Sequence, residues 1–277
     1  MFRVNPPPAF LLLLLSLVYY IVMPALAFLS VFAVSLVSLV GLFALSLSPI
    51  RLRKTLFALI SLSVGALLGD VFLHILPEIF EGNGNLTLSM SLIFIGFLIF
   101  FILEKFLLWH HGHEGEVHDE QSDLGHEHGT KHIGYLNIVS DGLHNLIDGL
   151  VIGGSYFVST EVGIATTIAV VLHEIPQEIG DFGLLLHVGF SRAQALLANF
   201  FSALVAFLGL FIAILLGTGG GNIIVYILPL AAGGFLYIAG SDLVPELHKT
   251  SDVHKSVIQL LAIMLGFALM GLLLLIE

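Results

Sequence analysis

The sequence predicts an all-α integral membrane protein: a bundle of eight transmembrane helices, preceded by an apolar N-terminal segment that is a signal peptide or an extra helix. Three observations predict it. Of 277 residues, 57% are hydrophobic and only 10% charged, against about 25% charged in an ordinary soluble domain. Apolar windows of about 20 residues, the length that crosses a hydrocarbon core of about 30 Å, recur along the whole chain. The basic residues Arg3, Arg51, Arg53, Lys54, Lys105, Lys131, Arg192, Lys249 and Lys255 all fall on one side once residues 50–55 are placed in the cytoplasm, as the positive-inside rule requires. The balance of 9 Lys+Arg against 20 Asp+Glu leaves a formal charge of -11, which removes the basic surface that nucleic acid needs. Cysteine is absent, so any metal site is built from His and carboxylates.

The windows run 9–28, 29–49, 56–79, 88–108, 133–158, 162–187, 192–216, 222–246 and 256–276. In residues 1–28, Arg3, an apolar run and Ala25-Leu26-Ala27 have the form of a signal peptide with a small-residue cleavage site. Residues 29–109 supply the first three helices of the bundle. Residues 110–132 read HHGHEGEVHDEQSDLGHEHGTKH, seven of the 13 His with six acids and no apolar periodicity. This stretch is expected to be a disordered loop on the cytoplasmic side that captures divalent cations loosely. Residues 133–277 supply the other five helices and the metal site.

Windows 133–158 and 162–187 carry the chemistry. The first holds Asp141, His144, Asn145 and Asp148; the second holds His173, Glu174, Gln177, Glu178, Asp181 and His187; neither holds a Lys or Arg. An ionised side chain at the bilayer centre costs about 2.5–3.5 kcal/mol, so five unpaired carboxylates would cost on the order of 13–17 kcal/mol. Protons or cations from water must neutralise them. Interhelical hydrogen bonding explains Asn145 or Asn199 taken alone, but it does not call for five acids without a base. For Asp141, Asp181 and His187, that structural role and a functional one weigh equally.

Spacing favours cations. Positions i and i+4 share a helix face, which pairs His144 with Asp148, His173 with Gln177 and Glu174 with Glu178. A tight turn near 159–162 makes the two helices antiparallel, and equal counts from it set Asp148 level with His173 and His144 level with Gln177. Pro176 frees a backbone carbonyl that a polar group, water or a cation must satisfy. Gly142, Gly149, Gly153, Gly154, Gly180 and Gly183 allow close helix approach. Further out, Asp70, His74 and Asp242 lie deep enough in their windows to line an ion path with Asp181, while Glu78 and Glu246 read as interfacial acids beside Pro77 and Pro245.

The segments HNLIDGLVIG (144–153) and HEIPQEIGDF (173–182) closely resemble the signatures HNxxDGxxIG and HExPHExGDF of the ZIP (Zrt-, Irt-like) divalent metal transporters. The likeness extends to GALLGDVFLHILPE (65–78) and GGFLYIAGSDLVPE (233–246). It implies eight spans, frequently a homodimer, an elevator-like or rocking displacement of one helix group against another, and a central binuclear site. His144, Asn145, Asp148, His173, Glu174 and Gln177 would be ligands there, with Glu178 adjoining. Gln177 departs from the family pattern, since many relatives have His there. An amide binds transition metals more weakly than imidazole, so one of two metal positions is expected to be weak or lost.

The expected function is therefore a carrier bringing a divalent transition metal, zinc foremost, into the cytoplasm across the plasma membrane, with the metal as cargo and no resident cofactor. Two rivals stand beside it. An intramembrane zinc hydrolase needs HExxH, and His173-Glu174-Ile175-Pro176-Gln177 lacks the second His. A proton-coupled carrier of a non-metal solute would bind no Zn²⁺.

Overall fold

A computed structural model of the chain describes residues 9–81, 85–112, 126–218 and 224–275. These residues form helices α1 (Ala9–Val37), α2 (Val40–Ala44), α3 (Pro49–Asp70), α4 (Leu76–Glu81), α5 (Leu86–Gly112), α6 (His126–Val158), α7 (Thr160–His187), α8 (Arg192–Ala203), α9 (Ala206–Thr218), α10 (Ile224–Tyr237), α11 (Val244–His248) and α12 (Val253–Leu273). Among them, six stretches are long and apolar enough to cross a membrane: Val22–Ala44, Ile50–Glu81, Leu86–Leu103, Arg192–Gly217, Val225–His248 and Val253–Leu273. α6 and α7, with 33 and 28 residues, have the length but carry the ionisable groups.

Two expectations are corrected. Windows 9–28 and 29–49 do not reverse at residue 28, because α1 runs unbroken from Ala9 to Val37. Residues 9–28 are thus not a helix of their own; Phe28-Leu29 offers no turn chemistry, and Pro24 sits within the helix without ending it. The polar stretch 110–132 is helical at both ends, since α5 extends to Gly112 and α6 begins at His126. A helix already nucleated in an apolar segment propagates through residues that contain no Pro. Residues 113–125, which hold most of the expected loop, lie outside the described residues.

Two π turns of five and six residues, Val71–Ile75 and Ile238–Leu243, join α3 to α4 and α10 to α11. Pro77 and Pro245 follow them closely. A helical proline lacks its N–H and its ring crowds the carbonyl four residues back. Those carbonyls belong to Leu73 and Ser241, both inside the π turns, which widen the helix where the bond is lost.

Three helix pairs meet through reciprocal glycines. A Cβ on Gly149 of α6 would lie 1.8 Å from the Ala206 carbonyl oxygen of α9, and one on Gly209 of α9 would lie 1.9 Å from the Leu146 carbonyl oxygen of α6. Gly65 with Gly266 does the same for α3 and α12, and Gly96 with Gly233 for α5 and α10. Gly153 and Gly154 are likewise tight, but Gly142 has ordinary contact distances and Gly180 and Gly183 face open space. For those three, close approach is not the reason for glycine. α1, α3, α6, α7, α9 and α10 share one buried apolar core that includes Val31, Leu67, Ile152, Val170, Leu210 and Phe235, while α8 packs Ala195 with Phe182 and Leu185 of α7 in a smaller one.

Candidate metal centre

α6 and α7 are antiparallel across a one-residue turn. Ser159, in extended conformation, ends α6 and caps α7 by accepting the Val162 N–H at 3.1 Å. Inside α7, Pro176 cannot donate to the Leu172 carbonyl. Ser63 of α3 donates its hydroxyl to that oxygen at 2.6 Å instead. The freed carbonyl is thus met by a side chain rather than a cation, and α3 is tied to α7 at the residue preceding His173.

Four donor atoms converge between α6 and α7. His173 Nε2 lies 3.2 Å from Asp148 Oδ2, 3.4 Å from Glu174 Oε1 and 3.3 Å from His144 Nε2. His144 Nε2 lies 3.5 Å from Glu174 Oε1 and 3.8 Å from Asp148 Oδ2. A tetrahedral zinc with bonds of about 2.0–2.1 Å sets its ligand atoms about 3.3 Å apart, so these separations fit one ion at the centre. His173 Nδ1–H donates to the Ala169 carbonyl at 3.1 Å. That bond fixes the tautomer and turns the Nε2 lone pair toward the cluster, the usual arrangement around a metal-ligating imidazole. Asp148, His173 and Glu174 are all at most 1% exposed.

A second cluster shares Glu174. One carboxylate oxygen each from Asp141, Glu174 and Glu178 lie within 4.8 Å of one another, all buried. Asn145 donates to Asp141 Oδ1 at 2.9 Å, and the Ser202 hydroxyl of α8 hydrogen-bonds Asp141 Oδ2. Asn199, one turn earlier on α8, donates to Glu178 Oε2 at 2.8 Å.

The expected level pairing of Asp148 with His173 is present; His144 meets His173 and Glu174 rather than Gln177, which is half-buried. Asn145 and Glu178 are fully buried. Asp181 belongs to neither cluster; Asn137 holds it at 3.0 Å. Asp70 is fully buried, with no hydrogen bond to either oxygen, and His74 donates Nε2–H to the Met270 carbonyl at 3.1 Å. Asp242 is exposed. Sequence reasoning underweighted Asp141 and Asn199 and did not single out Ser202. A signal for Asp141 existed, since it lies two turns before Asp148 on the same helix face. None existed for the α8 pair, whose meeting with α6 and α7 is tertiary.

The family model for ZIP zinc transporters matches residues 22–128 and 108–274, hence most of the chain. The chain belongs to the ZIP zinc transporter family. Among curated relatives, the zinc transporter YKE4 of Saccharomyces cerevisiae is 36% identical over 248 residues, covering 80% of this chain and 72% of the relative. The zinc transporter ZIP13 homolog of Drosophila melanogaster is 35% identical over 277 residues (79% and 77%), and ZIP13 of Mus musculus is 34% identical over 280 (86% and 78%). Membership in ZIP, with six apolar spans, makes this a multi-pass integral membrane protein. It also makes the chain a transporter rather than an enzyme, which sets the hydrolase reading aside.

Proposed function

We propose that this ZIP protein carries a divalent transition-metal cation, zinc foremost, into the cytoplasm, with His144, Asp148, His173 and Glu174 as its central ligands. The observation that carries the reading is the meeting of four donor atoms 3.2–3.8 Å apart in a pair of helices with no Lys or Arg between positions 133 and 187. Two imidazoles and two carboxylates around one divalent ion make a neutral unit, which removes the cost of burying the acids. Asn145 and Gln177 flank it and adjust geometry.

α6 and α7 complete a set of eight spans with the six apolar ones, and the basic residues place the α7–α8 and α11–α12 connections in the cytoplasm. The same orientation puts an open cavity of about 510 Å³, lined by residues including His74, Glu78, Glu81, Ser159 and Glu161, at the outer end. Asp70 and His74 stand on the way from that mouth to the centre, with Asp181 beyond it. Inward movement of a divalent ion gains about 4.6 kcal/mol from a potential of 100 mV, inside negative. Location in the plasma membrane, pairing as a homodimer and loose capture of metal by the 110–132 stretch belong to the same reading, on composition and family resemblance.

Metal uptake into proteoliposomes tests the proposal. Wild-type protein is expected to load Zn²⁺ and the Asp148→Ala/His173→Ala double variant to fall to the protein-free rate. Equal uptake by the two would reject this centre.

A further inference from the structure

We propose that α3, α6 and α7 together hold a monovalent alkali cation, Na⁺ or one like it, on the Asp70 carboxylate and the Thr166 and Ser155 hydroxyls. The site stands on its own geometry. Its role, coupling metal movement to a cation gradient, rests on the transport reading.

Register brings the three side chains together. Asp148 of α6 meets His173 of α7, and seven residues from each toward the Ser159 turn stand Ser155 and Thr166. Seven residues are about two turns, roughly 10 Å, and return a helix to within about 20° of the same face. Ser155 and Thr166 therefore share the seam of the metal centre, nearer the turn. On the other side of α7, Ser63 of α3 reaches the Leu172 carbonyl, and Asp70, again seven residues on, faces the Thr166 hydroxyl.

Unspent oxygens point to a ligand. Asp70, Ser155 and Thr166 are all 0% exposed, yet both Asp70 oxygens and both hydroxyls lack a hydrogen bond among the described residues. Nearly all buried polar atoms have one. A hydroxyl within a helix commonly turns back to the carbonyl four residues earlier, as those of Ser61, Ser63, Thr167 and Ser202 do. Ser155 and Thr166 do not, and their oxygens stay available.

Charge selects the ion. Asp70 is the one carboxylate of the set, and the nearest Lys or Arg on α3, Lys54, lies roughly four turns back. A single positive charge neutralises it, whereas a divalent ion would leave net charge in a low dielectric. A proton on the carboxyl would make one hydrogen bond and leave the remaining oxygens unmet. Donors that are all oxygen suit a hard cation better than Zn²⁺. The π turn Val71–Ile75 begins at the next residue, and coupling ions of transporters bind where a spanning helix is interrupted.

Binding of radioactive Na⁺ to purified, metal-free protein tests this. Wild type is expected to bind one Na⁺ per chain saturably, Asp70→Asn none, and Thr166→Val at least tenfold more weakly. Thr167→Val, which removes a hydroxyl already spent on the Gly163 carbonyl, should bind as wild type does. His173→Ala should keep Na⁺ while losing Zn²⁺, so the two sites fail separately. In proteoliposomes, an inward Na⁺ gradient should speed Zn²⁺ uptake by wild type and leave uptake by Asp70→Asn unchanged. Absence of saturable Na⁺ binding in wild type, or binding that survives Asp70→Asn, would overturn the site. Displacement of Na⁺ by Zn²⁺ in His173→Ala would also overturn it, by making it a divalent position. Na⁺ bound with uptake indifferent to its gradient would overturn the coupling role alone.

Discussion

At the scale of single residues, His173 is the proposed ligand whose second contact holds it in place. His173 is anchored through Nδ1 to the Ala169 carbonyl, so Nε2 has no other task than to face Asp148, His144 and Glu174. Loss of an outer-shell contact at a metal site commonly costs about 10–100-fold in affinity. Removal of the ligand itself in His173→Ala should therefore lower Zn²⁺ affinity by about 100-fold or more, measurable by competition against a fluorescent chelator. Ser63 has a different role, since it satisfies the carbonyl that Pro176 leaves open. Ser63→Ala should destabilise the protein by about 1–3 kcal/mol, the cost of an unmet buried acceptor. Thermal unfolding in detergent would register that loss while the number of bound metal ions stays constant. The pairing of His144 with Asp148 and the level of Asp148 with His173 were legible in the sequence from spacing, while the fuller ligand set came from the family resemblance. The Ser63 contact was not legible, because it joins residues 109 positions apart.

At the scale of elements, glycine pairs and prolines decide how closely helices approach and where they bend. Gly149 and Gly209 bring α6, which carries Asp141, His144 and Asp148, into backbone contact with α9. A side chain at Gly149 must push α9 away. Gly149→Val should therefore cost more than the roughly 1–3 kcal/mol of ordinary overpacking and abolish a monodisperse, metal-loaded peak in size exclusion. Gly183 has nothing within 4 Å of its Cβ direction, so Gly183→Ala should leave that peak intact and raise thermal stability slightly, by about 0.5–1 kcal/mol. The same letter in the same helix pair thus has opposite sensitivities, which composition alone does not separate. Helix periodicity was readable for most spans. The continuity of α1 through residue 28 was not, because two adjacent apolar windows without a turn signal look like two spans when only length is counted.

At the scale of the whole molecule, charge asymmetry predicts the orientation. The chain has no cysteine of its own, so single-cysteine variants report topology directly. Glu161→Cys, beside the outer cavity, should react with a membrane-impermeant maleimide in intact cells, and Lys255→Cys, at the start of α12, only after permeabilisation. The reverse pattern would invert the direction of transport argued here. The open cavity carries Glu78, Glu81 and Glu161 around His74, and in the proposed orientation it would be an outer, negative funnel that raises the local cation concentration. Its contribution should shrink with added salt as charges become screened.

Residence in a membrane, the lack of internal bases against five acids, and the helical faces on which those acids lie are local properties of the chain, and hydropathy with a 3.6-residue period was enough to determine them. Which acids meet was decided only in three dimensions. Asp141 and Glu178 are held on one side by α8, which offers Ser202 to the first and Asn199 to the second, and His144 of α6 meets His173 and Glu174 of α7. Such meetings depend on contacts between segments distant along the chain, where a shift of one helix face redirects every side chain on it, and no local period carries that information.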